Sequence, residues 1–246
     1  MNPAEYELMY RLEERHWYFR GKRRIVRRLL QPHLGEVPLT ILDAGCGTGG
    51  ILAELGTLGT VTALDPVHDA ALFCSRRNVT RLVQGSVVEM PFPDASFGLV
   101  TSLDVIEHVD DDRSALTEMY RVLKPGGLLL VTVPAHMFLW SGHDVALHHK
   151  RRYSEAELRE KIVAAGFSIV RDTSFNTVLF PLVAFARVAR RLAGKDRPQS
   201  DSSSIPPLGI NSLLYGIMHL ESLLLDHVDL PLGVSLACLA KKERAC

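Results

Sequence analysis

Short apolar runs recur along the chain, and stretches whose apolar residues fall three and four apart lie between them. The first pattern predicts strands buried on both faces of a sheet, and the second predicts amphipathic helices packed against it. Strands are expected at Leu39–Ala44, Thr60–Leu64, Thr80–Gln84, Phe97–Leu103, Leu128–Val133, Phe167–Arg171 and Val234–Ala240. Ile25, Val26, Leu29 and Leu30 end an N-terminal helix whose other face carries arginines. Helices follow at Gly49–Leu55, Asp69–Arg77 and Ser114–Leu123, the last burying Leu116, Met119, Tyr120 and Leu123. Ser154 and Glu157 form a capping-box pattern for a helix that stops at Gly166. Strand–helix alternation of this kind gives an α/β fold with a mostly parallel sheet. One domain is expected over 1–246, with an N-terminal helical segment over 1–35 and an insertion over 176–233 before the last strand. That insertion holds two apolar helices, Val178–Leu192 and Leu213–Leu225, whose polar joint, Gly194–Pro207, is expected to be mobile.

Charge narrows the choice of partner. The 246 residues hold 28 Lys plus Arg and 28 Asp plus Glu, so no net field draws the protein to nucleic acid or an anionic surface. Cys46, Cys74, Cys238 and Cys246 make no C-x-x-C pair, which points to reduced thiols. Met1–Arg15 is too polar for a signal peptide, and the apolar run Val178–Ala186 is too short to cross a bilayer. A cytoplasmic protein is expected.

The densest chemical signal is Asp43-Ala44-Gly45-Cys46-Gly47-Thr48-Gly49-Gly50, a buried strand running into glycines and then a helix. Glycine permits the tight turn and leaves room for a ligand against the backbone. The carboxyl end of a parallel strand is where open α/β sheets bind ligands. Gly45-x-Gly47-x-x-Gly50 alone also fits a dinucleotide site, and Asp65 at the end of the second strand suits a ribose diol in either case. Asp43 separates the two, because its carboxylate repels a pyrophosphate and attracts an ammonium.

Further segments extend the pattern. Met90-Pro91-Phe92-Pro93-Asp94-Ala95-Ser96-Phe97 precedes the fourth strand, Asp104-Val105-Ile106-Glu107-His108-Val109 follows it, and Leu123-Lys124-Pro125-Gly126-Gly127 turns into the fifth. Together with Asp43–Gly49 and Asp65, these resemble, in order and spacing, the class I S-adenosylmethionine (SAM)-dependent methyltransferases of small-molecule type. The resemblance covers about Leu39–Val133. It implies a three-layer Rossmann-like sandwich with a seven-stranded sheet whose last strand is antiparallel. It places Gly45 and Gly47, with Cys46 between them, under the methionine end of SAM, Asp65 and Pro66 at the ribose, and Asp104 and Val105 near the methionine end and the acceptor. Many relatives carry an aspartate for the adenine amino group where this chain has Ser86, whose hydroxyl can accept the bond without charge assistance, and the Val87 N–H can read the ring. From the N-terminal His16-Trp17-Tyr18-Phe19-Arg20-Gly21-Lys22, the aromatics Trp17, Tyr18 or Phe19 can cap the donor, and Arg20 or Lys22 can meet its carboxylate. The competing readings are an NAD-type oxidoreductase and a SAM-binding protein without catalysis.

An oxygen or nitrogen acceptor needs a base for its proton. His108, at the end of the fourth strand, is one candidate, and His143 beside Asp144 in the loop after the fifth strand is another. In the same loop Trp140 and Phe138 can wall the acceptor, and Lys150, Arg151, Arg152 and Tyr153 can hold an anionic or hydroxylated one. His148 and His149 match no familiar metal-ligand spacing, so no metal is expected. The neutral charge and the lack of an Asn-Pro-Pro-Tyr-type motif turn the acceptor away from nucleic acid and towards a small molecule, a glycan or a lipid-linked compound. The apolar insertion suggests a peripheral apolar contact or a homodimer surface.

Overall fold

The computed structural model describes residues 3–35, 39–77, 81–201 and 203–244. The strands are β1 (Leu39–Ala44), β2 (Gly59–Asp65), β3 (Leu82–Gln84), β4 (Phe97–Leu103), β5 (Leu123–Pro134), β6 (Ser168–Phe175) and β7 (Ser235–Lys241). Among the described residues they form one sheet in the order β3-β2-β1-β4-β5-β7-β6. β1 to β5 pair in parallel, and β7 lies antiparallel between β5 and β6. This is the topology the resemblance implied. The expected strand residue Thr80, together with Met1, Ser202 and Cys246, lies outside the described residues.

Side chains alternate across each strand and feed two cores, one on either face. Leu42 and Ala44 of β1 join Val100, Leu129 and Val131 on one face, while Ile41 joins Leu99 and Leu130 on the other. β5 is buried along Leu128–Pro134, as a continuous apolar run in a central strand requires. It starts at Leu123, earlier than the apolar run, because Leu123 pairs with Phe97 before the register shifts. The helices are α1 (Pro3–Glu13), α2 (Trp17–Leu30), α3 (Leu52–Gly56), α4 (His68–Arg76), α5 (Asp112–Val122), α6 (Gly142–Ala146), α7 (Glu155–Ala164), α8 (Phe180–Leu192) and α9 (Leu208–Leu224). α5 begins ahead of the sequence pattern because Asp111 caps it, accepting the Ser114 N–H at 2.9 Å. The N-terminal segment breaks in two at His16, whose ring accepts the Tyr18 N–H at 3.2 Å and starts α2.

The insertion packs back onto the N-terminal helix. α9 lies along α2, where Gly21 leaves room for Met218; a Cβ at Gly21 would come within 2.7 Å of it. Asn211 of α9 accepts the Trp17 N–H and donates to the Arg15 carbonyl, each at 3.0 Å. The joint between α8 and α9, expected to be mobile, is instead tied down. Asp196 accepts the Gly142 N–H at 2.9 Å, the Asp201 N–H donates to His143 Nδ1 at 3.0 Å, and Arg187 of α8 pairs with the Asp201 carboxylate at 2.7 Å. These polar residues look like loop in the sequence because two of these contacts reach back more than 50 residues, to α6.

Candidate active site

The carboxyl ends of β1, β2, β4 and β5 open into one cavity of about 740 Å³, roofed by α1, α2 and the joint of the insertion. On its β1–β2 side the chain turns through Gly45 (φ 87°) and Gly47 (φ 53°), backbone that a side chain strains. A Cβ at Gly45 would meet Val105 at 2.5 Å, and one at Gly47 would meet Met9 at 2.9 Å. Asp65 props this loop. One oxygen accepts the Gly47 N–H at 2.9 Å, and the other accepts the Val67 N–H at 3.0 Å and the Tyr6 hydroxyl at 3.3 Å. Asp43 is 2% exposed and accepts the Thr101 hydroxyl at 2.6 Å, a bond set by the β1–β4 register that places the two residues side by side. Burial lifts the Asp43 carboxyl to about 6, against the opposing pull of Thr101 and of the Lys22 ammonium. Burial likewise raises Asp65, with its backbone donors working the other way.

Asp104 stands at the end of β4 in left-handed backbone (φ 59°). Its carboxylate takes the Thr132 hydroxyl at 2.8 Å, Lys22 Nζ at 2.7 Å and the Tyr18 hydroxyl at 3.4 Å. Burial alone would lift it, but the Lys22 charge and these bonds bring it below the ordinary carboxylate range. Lys22 therefore ties the roof to the sheet through a half-buried ion pair.

The β4–β5 side is lined by Glu107, His108, His143, His149, Arg152 and Arg187. His108 and His149 meet edge to face with ring centres 4.8 Å apart. Burial drives both His108 and His143 down to about 4, so both are neutral imidazoles near pH 7. His143 Nδ1 is taken by the Asp201 N–H, which leaves Nε2 as the nitrogen that carries the proton. Asp144 is the hub of this wall. It accepts from Arg152 Nε at 2.7 Å and from the Ser141 N–H at 2.9 Å, and it pairs with His149 Nδ1 at 2.9 Å. Burial alone would raise its carboxyl, but His149 and Arg152 hold it well below the ordinary carboxylate range.

Of the residues singled out in the sequence, Tyr18, Asp43, Gly45, Cys46, Gly47, Asp65, Pro66, Ser86, Val87, Asp104, Val105, His108 and His143 share this cavity. Ser86 is exposed, and its hydroxyl already accepts the Val88 N–H at 3.3 Å. Two candidates are corrected. Arg20 points to the far side of α2, where its guanidinium stacks 3.9 Å over the Tyr215 ring, and Lys22 faces the cavity in its place. Tyr153 is fully buried beneath the wall, outside the cavity lining, donating to Asp112 at 2.8 Å with Lys161 over its ring. Phe138 and Trp140 also lie outside the lining, with Phe138 stacked on His136. The basic run splits three ways: Lys150 to Asp110, Arg151 to Asp112 and Arg152 to Asp144. Glu107, His149 and Arg187 were not anticipated. Glu107 sat inside a motif read for the donor, and the Arg187 helix gave no polar signal.

Residues 42–131 match the family model of a methyltransferase domain. That stretch is similar to a methyltransferase domain. Over 169 residues it is 34% identical to a protein of Mycolicibacterium smegmatis named as a probable S-adenosylmethionine-dependent methyltransferase, covering 66% of this chain and 63% of that one. Over 103 residues it is 40% identical to the ubiquinone/menaquinone biosynthesis C-methyltransferase of Psychromonas ingrahamii, covering 37% of this chain and 41% of the relative. The chain thus spans less than two thirds of the length of these relatives. The domain also shares its fold with a SAM-dependent methyltransferase structure from Archaeoglobus fulgidus, at a TM-score of 0.60, 19% identity, and 91% and 94% coverage of the two chains. These likenesses favour SAM over a dinucleotide as the ligand of the matched region. Among the described residues no helix is long and apolar enough to cross a membrane.

Proposed function

We propose that this protein transfers the methyl group of SAM to an acceptor carrying an apolar chain, with the donor on the β1–β2 side of the cavity and the acceptor on the β4–β5 side. The observation that supports it best is the pair of buried carboxylates, Asp43 and Asp65, flanking a glycine turn that any Cβ would obstruct. Such a floor suits a cationic, phosphate-free nucleoside. Asp65 would take the ribose hydroxyls, Val87 and Ser86 would border the adenine, and Asp43 and Asp104 would face the methionine end. Tyr18 and Lys22 would hold the roof closed, excluding water. The methyl of SAM is activated by its sulfonium, so the protein's task is to align the acceptor, and orientation alone can supply about 7–11 kcal/mol of barrier reduction. His108, neutral near pH 7, is the candidate proton acceptor, whereas the Nδ1 lone pair of His143 is already taken by the Asp201 N–H.

The apolar character of the acceptor is argued from α8. Leu182, Phe185 and Leu192 of α8 lie three and seven apart, with Val178 just ahead of the helix, and these four are 58–82% exposed, beside Arg190 and Arg191. A helix that keeps so much apolar surface in water marks a contact site, and basic residues at its edge suit an anionic lipid surface. The inward face of the same helix supplies Arg187 and Val183 to the cavity. The named role of the relative in quinone biosynthesis agrees with a greasy acceptor. Methyl-labelled SAM incubated with the protein and membrane extract should place label in the organic-soluble fraction. The double substitution Leu182→Ser and Phe185→Ser should cut that labelling at least tenfold without changing S-adenosylhomocysteine affinity. Label found only in the aqueous fraction, or unaffected by the substitutions, would refute the apolar acceptor.

A further inference from the structure

We infer that Glu107, His108 and His149 form a binding site for one divalent transition-metal ion at the acceptor side of the cavity. Their ligand atoms all lie within 4.8 Å of one another. Small side-chain rotations bring such a set to the roughly 2.0–2.2 Å reach of nitrogen and carboxylate ligands. Two imidazoles and one carboxylate are a donor set suited to zinc, iron or manganese rather than to calcium or magnesium.

The carboxylate supplies an independent reason. Glu107 is 0% exposed, yet among the described residues neither of its carboxylate oxygens has a hydrogen-bond partner. A buried carboxyl left so costs several kcal/mol, and a cation within the cavity it lines removes that cost. Native proteins seldom leave such groups without a reason.

The histidines are arranged for ligation. His149 Nδ1 is bonded to Asp144 Oδ1 at 2.9 Å, which leaves Nε2 with its lone pair for a metal. This carboxylate–imidazole–metal relay is the usual support of a ligating histidine. Asp144 is itself fixed by Arg152 and the Ser141 N–H. One ring nitrogen of His108 is engaged by the backbone of His148, a residue held in left-handed conformation at φ 57°. The other nitrogen is left for a ligand. The loop is pinned in place by the Lys150 N–H, which donates to the Glu107 carbonyl at 2.8 Å and so sets His149 beside Glu107. Arg152 and Lys22 oppose a second cation nearby, but Asp144 and Asp104 pair with them and offset their charge.

Three protein ligands leave positions open towards the cavity. There the ion would take an oxygen of the acceptor and orient it beside Val105, which packs against Gly45 of the donor loop. That use rests on the methyl-transfer reading above; the metal site itself does not. No ligand spacing marks this set along the chain, because His108 and His149 lie 41 positions apart.

The test uses the full chain, stripped with chelator and dialysed. Titration with Co²⁺ should produce a saturable visible ligand-field band at one equivalent, and Zn²⁺ should displace it. Glu107→Gln, a near-isosteric change, and His149→Ala should each weaken Co²⁺ binding at least tenfold. Both should retain S-adenosylhomocysteine binding, which reports a folded donor half. The proposal is overturned if wild-type protein that binds S-adenosylhomocysteine shows no band at millimolar Co²⁺, or if both variants bind Co²⁺ like wild type. Should the variants fail to fold, the wild-type band and its displacement by Zn²⁺ decide alone. A Co²⁺ band without S-adenosylhomocysteine binding would instead refute the donor assignment and leave the metal site standing.

Discussion

Replacing Asp43 with Asn should make the protein more stable and a poorer binder of SAM. The wild-type carboxyl is 2% exposed and is pushed from 3.8 up to about 6, chiefly by burial. The folded state therefore holds its proton until about pH 6, whereas the unfolded chain releases it near 3.8. Between those values the native state binds more protons than the unfolded state, so stability falls as pH rises. A shift of about two units corresponds to about 3 kcal/mol, present as a cost at pH 7 and absent below pH 4. Asn keeps an oxygen for the Thr101 hydroxyl, but its amide must find a partner, which returns about 1–2 kcal/mol. A net gain of about 1–2 kcal/mol is expected near pH 7. Urea unfolding of both proteins from pH 4 to pH 8 measures it, because the difference between them isolates this one group. The Asn variant should gain on wild type steadily from pH 4 to pH 6 and then hold its lead. Calorimetry with SAM should show a loss of about tenfold to a hundredfold, as for a charged hydrogen bond. A stability difference that stays flat with pH would refute the buried charge, and unchanged SAM affinity would refute its contact with the donor.

Two further substitutions separate scaffold from site. Tyr153→Phe removes a buried hydroxyl from Asp112, which keeps Arg151 and Lys161 as partners. It should cost about 1–2 kcal/mol in urea unfolding and leave the Michaelis constant for SAM unchanged; loss of turnover at full stability would return Tyr153 to the chemistry. Gly45→Ala places a methyl at φ 87° and 2.5 Å from Val105, so it should cost at least about 1–3 kcal/mol and abolish S-adenosylhomocysteine binding measured by calorimetry.

The sheet was legible because its signal is local. The runs at Leu39–Ala44 and Phe97–Leu103 have a strand as their only means of burying every side chain, and both came out with those bounds. The donor loop was legible for a similar reason, since glycines after a strand admit few conformations. What failed to show depends on direction and on distant partners. Arg20 and Lys22 lie two positions apart on one helix, which turns them about 200° from each other; sequence gave no means of telling which one faced the cavity. Tyr153 follows a basic run in a loop, and only the fold reveals that α5 and α7 enclose it with Asp112 and Lys161. Glu107 reads as a surface carboxylate between a valine-isoleucine pair and a histidine. Its burial without partners is a property of the β4–β5 edge, not of the residues beside it.

The seam between α2 and α9, where Met218 fills the space left by Gly21, joins the helix proposed to roof the nucleoside site to the helix hairpin that faces outward. Whatever grips the outside must therefore lean on the gate. Free energies around such a cycle close, so any factor by which the loaded nucleoside alters docking of the outer helices is returned in full by docking on the nucleoside. An enzyme built this way would release its spent nucleoside at one speed while adrift and at another once moored to its target.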